Sequence, residues 1–271
     1  MEIKEKFTTS KTGDENKNED AIFVSERIIA VIDGATSKTG MPLGANISSG
    51  TFAANALCTA LKNICDEILQ PEDIVIYLND SLKKAVEHSV FKNSKEPPAA
   101  SIIMYDKLSG KIVSYGDCQF LKNGQCYQRR KKIDEICAEK RAKVLSELIS
   151  KKGFSISELL ENDYGRESIK PLILESFLKY ANTKGEYGFP VLGYGEIVLD
   201  YIDVFEVEEY EEIVFASDGY PVLKATLKES EAYLKKIIQE DPLLYKHYKA
   251  TKGLAKNAVS FDDRTFVRFI V

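Results

Sequence analysis

The chain has 271 residues, with 37 Lys and Arg against 42 Asp and Glu, a formal net charge of −5 at pH 7. Its 44% hydrophobic and 29% charged content is that of a globular chain able to bury a core, which excludes disorder as the default state. The acidic balance offers no electrostatic footprint for a phosphate backbone or an anionic membrane surface, so neither nucleic acid nor membrane is expected as a partner.

The opening MEIKEKFTTSKTGDENKNEDA has no apolar stretch of signal-peptide length. Apolar runs such as residues 28–32 and 269–271 are far too short to cross a bilayer. Cysteines at 58, 65, 118, 126 and 137 form an odd set without a C-x-x-C pair. They read as reduced thiols in a cytoplasmic chain rather than as disulfides or a zinc site. With His88 and His247 the only histidines, acidic residues must carry any catalysis.

In chain order, residues 3–9, 21–24 and 28–32 predict strands by alternation or short apolar runs. A glycine-containing loop through Gly34, Gly40 and Gly44 follows. Phe52, Ala56, Ala60, Ile64 and Ile68 make a helical stripe, and Pro71 opens a second helix with Ile74, Leu78, Leu82, Ala85 and Val90 inward. Strands are predicted again over 99–105, 111–115 and 118–122, the last running into the hairpin signal Asn123-Gly124. Residues 130–182 read as Lys/Glu-rich helix, 197–207 and 213–216 as strands, 222–248 as one or two helices, and 265–271 as a closing strand. The basic run Arg129–Lys132, followed by Asp134 and Glu135, reads as a solvated helix start, with contact to an acidic or phosphorylated partner left open. Strand runs interleaved with helices predict an α+β fold with largely antiparallel sheets.

Acids recur where apolar strands begin or end: Glu19-Asp20, Asp33-Gly34, Gly116-Asp117, Asp218-Gly219 and Asp262-Asp263. One Asp-Gly after a strand is ordinarily a turn. Several carboxylates brought together at a sheet rim repel one another and lose hydration, and oxygen-preferring divalent cations relieve both penalties. Glycine after Asp33 and Asp218 permits a sharp turn or close approach to an ion. Other patterns fail: Gly34-Ala-Thr-Ser-Lys-Thr-Gly40 lacks the end of a P-loop, Ala35 stands where a haloacid-dehalogenase-type phosphatase needs its second Asp, and Gly193-Tyr-Gly195 is too short for a dinucleotide fingerprint.

Taken in order, Asn18-Glu19-Asp20-Ala21, Val31-Ile32-Asp33-Gly34-Ala35, Ala100-Ser101, Tyr115-Gly116-Asp117, Ala216-Ser217-Asp218-Gly219 and Asp262-Asp263-Arg264-Thr265 resemble the motifs of the metal-dependent type 2C (PPM) protein serine/threonine phosphatases. The resemblance implies one domain over 1–271, a four-layer α-β-β-α sandwich of two antiparallel sheets flanked by helix pairs, with a divergent helical insertion at about 128–190. It implies two Mn²⁺ or Mg²⁺ ions, with a weaker third site open. Asp33 would bridge them, Gly34 would offer its carbonyl, and Asp218 and Asp262 would complete one shell. Asp262 rather than Asp263 is chosen because Thr265 then aligns with the closing motif. Glu19 and Asp20 would hold metal-bound waters, and Asp117 would serve the third site. Asp33, Asp218 and Asp262 are therefore the expected catalytic residues, and Cys118 is expected to pack in the core.

The implied reaction is hydrolysis of phosphoserine and phosphothreonine in a phosphorylated protein, by a monomeric enzyme acting through a water activated between two cations. Two departures stand out. Glu15 occupies the place of the family's phosphate-gripping Arg, leaving Lys17 as the nearest cation for substrate phosphate, and Val222 replaces an Asp of the third metal site. These departures motivate an alternative, a catalytically impaired scaffold or regulator on the same fold. Hydrolysis of a small phosphorylated metabolite is a third reading.

Overall fold

The computed structural model describes residues 1–64 and 70–271. Ile68 and Cys65, the first placed by its spacing on the helical stripe, lie outside those residues. One sheet is ordered β2 (Asp20–Val24), β3 (Ile28–Gly34), β4 (Ala100–Asp106), β5 (Lys111–Tyr115) and β8 (Asp203–Glu206). The other is ordered β1 (Glu2–Thr9), β10 (Arg264–Ile270), β9 (Glu212–Ala216), β6 (Gln119–Lys122) and β7 (Gln125–Gln128). Every neighbouring pair is antiparallel. This is the expected α+β sandwich.

The continuous apolar run of β3 follows from burial on both faces. Ile28, Ala30 and Ile32 pack beneath α1 (Ser49–Lys62) and α2 (Pro71–Glu87), while Ile29 and Val31 pack between the sheets against Phe215, Val267 and Phe269. Strand β9 divides its residues likewise: Ile213 and Phe215 lie between the sheets, and Val214 and Ala216 face α6 (Leu227–Glu240). Cys118 is buried in the inter-sheet layer, as expected. Asn123 and Gly124, with φ of 52° and 75°, make the predicted tight turn between β6 and β7.

Two elements differ from the reading of the sequence. Of residues 197–207, only Asp203–Glu206 pairs as a strand, because Leu199–Tyr201 forms a 3-10 turn. Of 222–248, only α6 is helical; the chain beyond Asp241 turns so that Leu244, Tyr248 and Phe261 pack with α6 on the sheet's outer face. Here apolar spacing continued past the helix end because the irregular segment is itself buried. The 130–182 region comprises α3 (Lys132–Lys152), α4 (Ile156–Glu161) and α5 (Tyr164–Tyr180), with α3 packed along α5.

This helical unit is tied down by a fully buried arginine. Arg141 donates to the Asp163 carboxylate from Nη2 at 2.6 Å, and to the carbonyls of Leu243, Leu244 and Ala250 at 2.8, 3.2 and 3.0 Å. Asp163 also caps α5 by accepting the Arg166 backbone N–H at 2.8 Å. Truncating Asp163 leaves an enclosed cation without its carboxylate. Asp163→Ala is expected to lower unfolding free energy by about 3–5 kcal/mol in urea titration, and Asp163→Asn, which keeps a capping oxygen, to recover about 1 kcal/mol of that loss.

Candidate active site

The strand pleat explains where the acids meet. On β3, Asp33 continues the inter-sheet face of Ile29 and Val31; on β2, Asp20 continues that of Ile22; on β4, Ser101 continues that of Ile103 and Tyr105. Asp33 is in register with Asp20 on one side and Ser101 on the other. At this end of the sandwich apolar packing stops and polar groups fill the opening.

The second sheet delivers its acids through two interlocked turns. Ser217 N–H donates to the Thr265 carbonyl at 3.2 Å, and Thr265 N–H donates to Ser217 Oγ at 3.0 Å. Gln119 Nε2 fixes the carbonyls of Ser217 and Tyr220 at 2.9 and 2.8 Å, and Asp218 N–H points to Asp33 Oδ2 at 3.4 Å. Two glycines permit the close approach. A Cβ on Gly34 would stand 2.3 Å from the Gly50 carbonyl oxygen and 2.4 Å from that of Glu19; one on Gly219 would stand 2.0 Å from that of Asp263.

Asp262 lines the resulting cavity of about 140 Å³, together with Asp33, Gly34, Asp117, Asp134 and Asp218. Asp263 is turned inward instead: it accepts from the Lys11 backbone at 2.7 Å, from the Lys11 ammonium at 3.2 Å and from Glu19 N–H at 3.2 Å. Glu19 and Asp20 lie buried behind the opening. Glu19 Oε2 accepts from Lys11 at 3.2 Å and from the Thr36 hydroxyl, whereas Glu19 Oε1 and Asp20 Oδ2 are buried without a partner among the described residues. Lys17 is not brought to the cavity. Its side chain is 68% exposed and its ammonium lies 3.7 Å from Asp14 on the outer turn.

Four cations share the cavity, and the motifs pointed to none of them: Lys38, Lys131, Arg166 and Lys252. Lys131 Nζ lies 2.7 Å from Asp117 Oδ2, Lys252 Nζ 2.5 Å from Asp262 Oδ2, and Lys38 Nζ 3.4 Å from Glu96 Oε1. The Arg129–Lys132 run is therefore not simply a solvated helix start: Arg129 pairs with Asp203 at 2.6 Å, and Lys131 turns inward with a side chain only 19% exposed. Spacing in sequence gives no warning of this, since the partners lie on another strand end. Asp134, two residues into α3, likewise escaped the strand-end pattern.

Charge proximity sets the protonation of the group. Burial, then the charges of Asp218, Asp20, Asp117 and Asp262, push Asp33 well above the usual carboxylate range. Burial followed by Asp263 and Asp262 does the same to Asp20, although hydrogen bonds from Ser217 and Thr265 oppose it. Asp218 is raised to about 7 by burial, Asp262 and Asp117. Asp117 goes the other way: burial raises it, but the Lys131 ammonium and the Ser101 hydroxyl, which donates at 2.5 Å, together hold it below its ordinary value.

The donor chemistry suits a divalent cation. All side-chain donors are hard oxygens, two buried carboxylate oxygens lack partners, and the acids disfavour one another's ionised forms. Among the described residues, no group of three or more His, Cys, Asp or Glu side chains is already drawn into a metal shell. Asp117 and Asp262 instead carry lysine counter-ions.

No protein-family model matches the chain, and a search of curated proteins finds no relative. Solved structures do resemble it. PppA, described as a key regulatory component of T6SS in Pseudomonas aeruginosa, aligns over 100% of this chain and 99% of its own at 12% identity, with a TM-score of 0.50. The PPM Ser-Thr phosphatase MsPP from Mycobacterium smegmatis, solved with cacodylate, aligns over 100% of both chains at 14% identity, with a TM-score of 0.49. A catalytic domain of the serine/threonine phosphatase PstP, solved with two manganese ions, aligns over 100% of both chains at 14% identity and 0.49. The two-sheet α+β sandwich is the fold shared with PppA. Among the described residues, no helix is long and apolar enough to cross a membrane.

The raised carboxylates make metal-free stability fall with pH. An unfolded Asp titrates near 4 and native Asp218 near 7, so between those values the native state holds the extra proton, and raising pH removes stability. In chelator, the thermal midpoint is expected to drop from pH 4.5 to pH 8. Asp218→Asn, which imitates the protonated side chain, should flatten that drop and melt above the unmodified chain at pH 8.

Proposed function

We propose that this protein is a divalent-metal-dependent phosphatase acting on phosphoserine or phosphothreonine in proteins. The observation that carries the reading is the two-signed cavity: it is lined both by carboxylates suited to cations and by cations suited to phosphate. Asp33 and Asp218 from facing sheets, with Asp262 and the Gly34 carbonyl, would hold Mn²⁺ or Mg²⁺. Glu19 and Asp20 would hold coordinated waters from behind, and Asp117 would contribute to a further, weaker position. When bound, such ions neutralise phosphoryl charge and make a water acidic enough to attack phosphorus.

The chain's own residues do the rest. The reciprocal Ser217 and Thr265 bonds lock the end of β9 to the start of β10 and so fix where Asp218 leaves that sheet. Ser101 orients Asp117, and Lys11 holds Glu19 and Asp263 in one inward cluster. Lys131 stabilises Asp117 as an anion, and Lys252 pairs with Asp262. Those same ion pairs favour one second reading, a phosphate-binding regulator without turnover, because they occupy two of the proposed ligands.

Hydrolysis of a phosphothreonine peptide and of p-nitrophenyl phosphate with added Mn²⁺ separates the two readings. Turnover is expected, with Asp33→Asn and Asp218→Asn each losing at least about a hundredfold. Calorimetry should show Mn²⁺ binding that weakens in both variants. Unchanged activity in either variant removes the assigned mechanism, and no turnover despite tight phosphate binding selects the regulator.

A further inference from the structure

We infer that Arg166, carried by the helical insertion, is the residue that grips the substrate phosphate. The inference rests on the phosphatase reading above and names a ligand that the sequence pattern left to Lys17. Arg166 stands in the first turn of α5 and lines the cavity that also contains Asp33, Asp218 and Asp262. Lys38, Lys131 and Lys252 each have a carboxylate within ion-pair distance. Among the described residues, Arg166 is the cavity cation that does not. Its side chain makes one hydrogen bond, from Nη1 to the Thr251 carbonyl at 3.0 Å.

That single bond orients the guanidinium and leaves its other donors uncommitted. An arginine drawn out of water without a carboxylate bears a desolvation cost that an anionic ligand would repay. A planar fork of N–H groups suits two oxygens of one phosphate, which a lysine ammonium cannot match. Glu15, by contrast, occupies an outer turn with Lys17, whose ammonium is in solvent. The cation for phosphate has therefore moved from the start of the chain to the insertion.

The test uses the full chain with Mn²⁺ and two readouts: calorimetric binding of inorganic phosphate, and kcat and KM for a phosphothreonine peptide. Arg166→Met should weaken phosphate binding about ten- to a hundredfold and raise KM by a similar factor. Arg166→Lys, which keeps a donor for Thr251 but not the fork, should fall between. Arg166→Lys with an unchanged thermal midpoint and weakened phosphate binding supports the assignment without a folding defect. Unaltered phosphate binding in Arg166→Met overturns it, as does absence of phosphate binding in the unmodified chain, or a loss confined to Lys17→Met. A chain that binds phosphate through Arg166 but hydrolyses nothing would retain this inference while defeating the phosphatase reading.

Discussion

Like-charge repulsion between Asp33 and Asp218 is the constraint around which the rest of this molecule is arranged. The two acids belong to different sheets; burial and the charge of Asp218 raise the affinity of Asp33 for a proton, and burial with Asp262 and Asp117 raises that of Asp218. Inter-sheet apolar packing brings them together: Ile29 and Val31 on one side meet Phe215 and Val267 on the other, Asp33 lies one pleat beyond Val31, and Asp218 follows the end of β9. The hydrophobic layer thus does electrostatic work, holding together charges that would separate if the sheets were free.

Neutralisation is distributed. Lys11 serves the inner pair Glu19 and Asp263, Lys131 serves Asp117, and Lys252 serves Asp262. Among the described residues, the central acids Asp33 and Asp218, with Asp20 behind them, have no such lysine partner. Their burdens are met by protonation or by a bound cation. This division separates acids that are already satisfied from acids that demand a ligand, and the demand is greatest where the two sheets face each other.

The sandwich was legible from the sequence because its strands are short, apolar and punctuated. Ile28 to Ile32 announces a strand buried on both faces, and Asn123-Gly124 announces a hairpin. The strand-end acids were legible as an ordered set for the same reason: a carboxylate next to a doubly buried strand has few places to go. The cations were not. Lys131 and Arg166 reach the cavity only because α3 and α5 fold back over it, and Lys252 only because an irregular segment packs beside α6. No local pattern encodes such placement; it depends on tertiary packing of helices whose own apolar stripes are weak. The overlong strand and helix readings at 197–207 and 222–248 have a related cause, since buried irregular chain carries as many apolar residues as regular structure.

The enclosed Arg141 has an evolutionary corollary. Its guanidinium is met by carbonyls from residues 243, 244 and 250, and Gly253 is open enough to admit it, with space that a Cβ would close to 2.6 Å. Helices α3 to α5 and the 241–253 stretch are therefore heritable only as a matched pair. Transplanting the helices alone into a kindred sandwich would import Arg141 and Asp163 without the carbonyls that receive the remaining guanidinium donors, so exchange between relatives must carry both pieces or replace Arg141 at the same stroke.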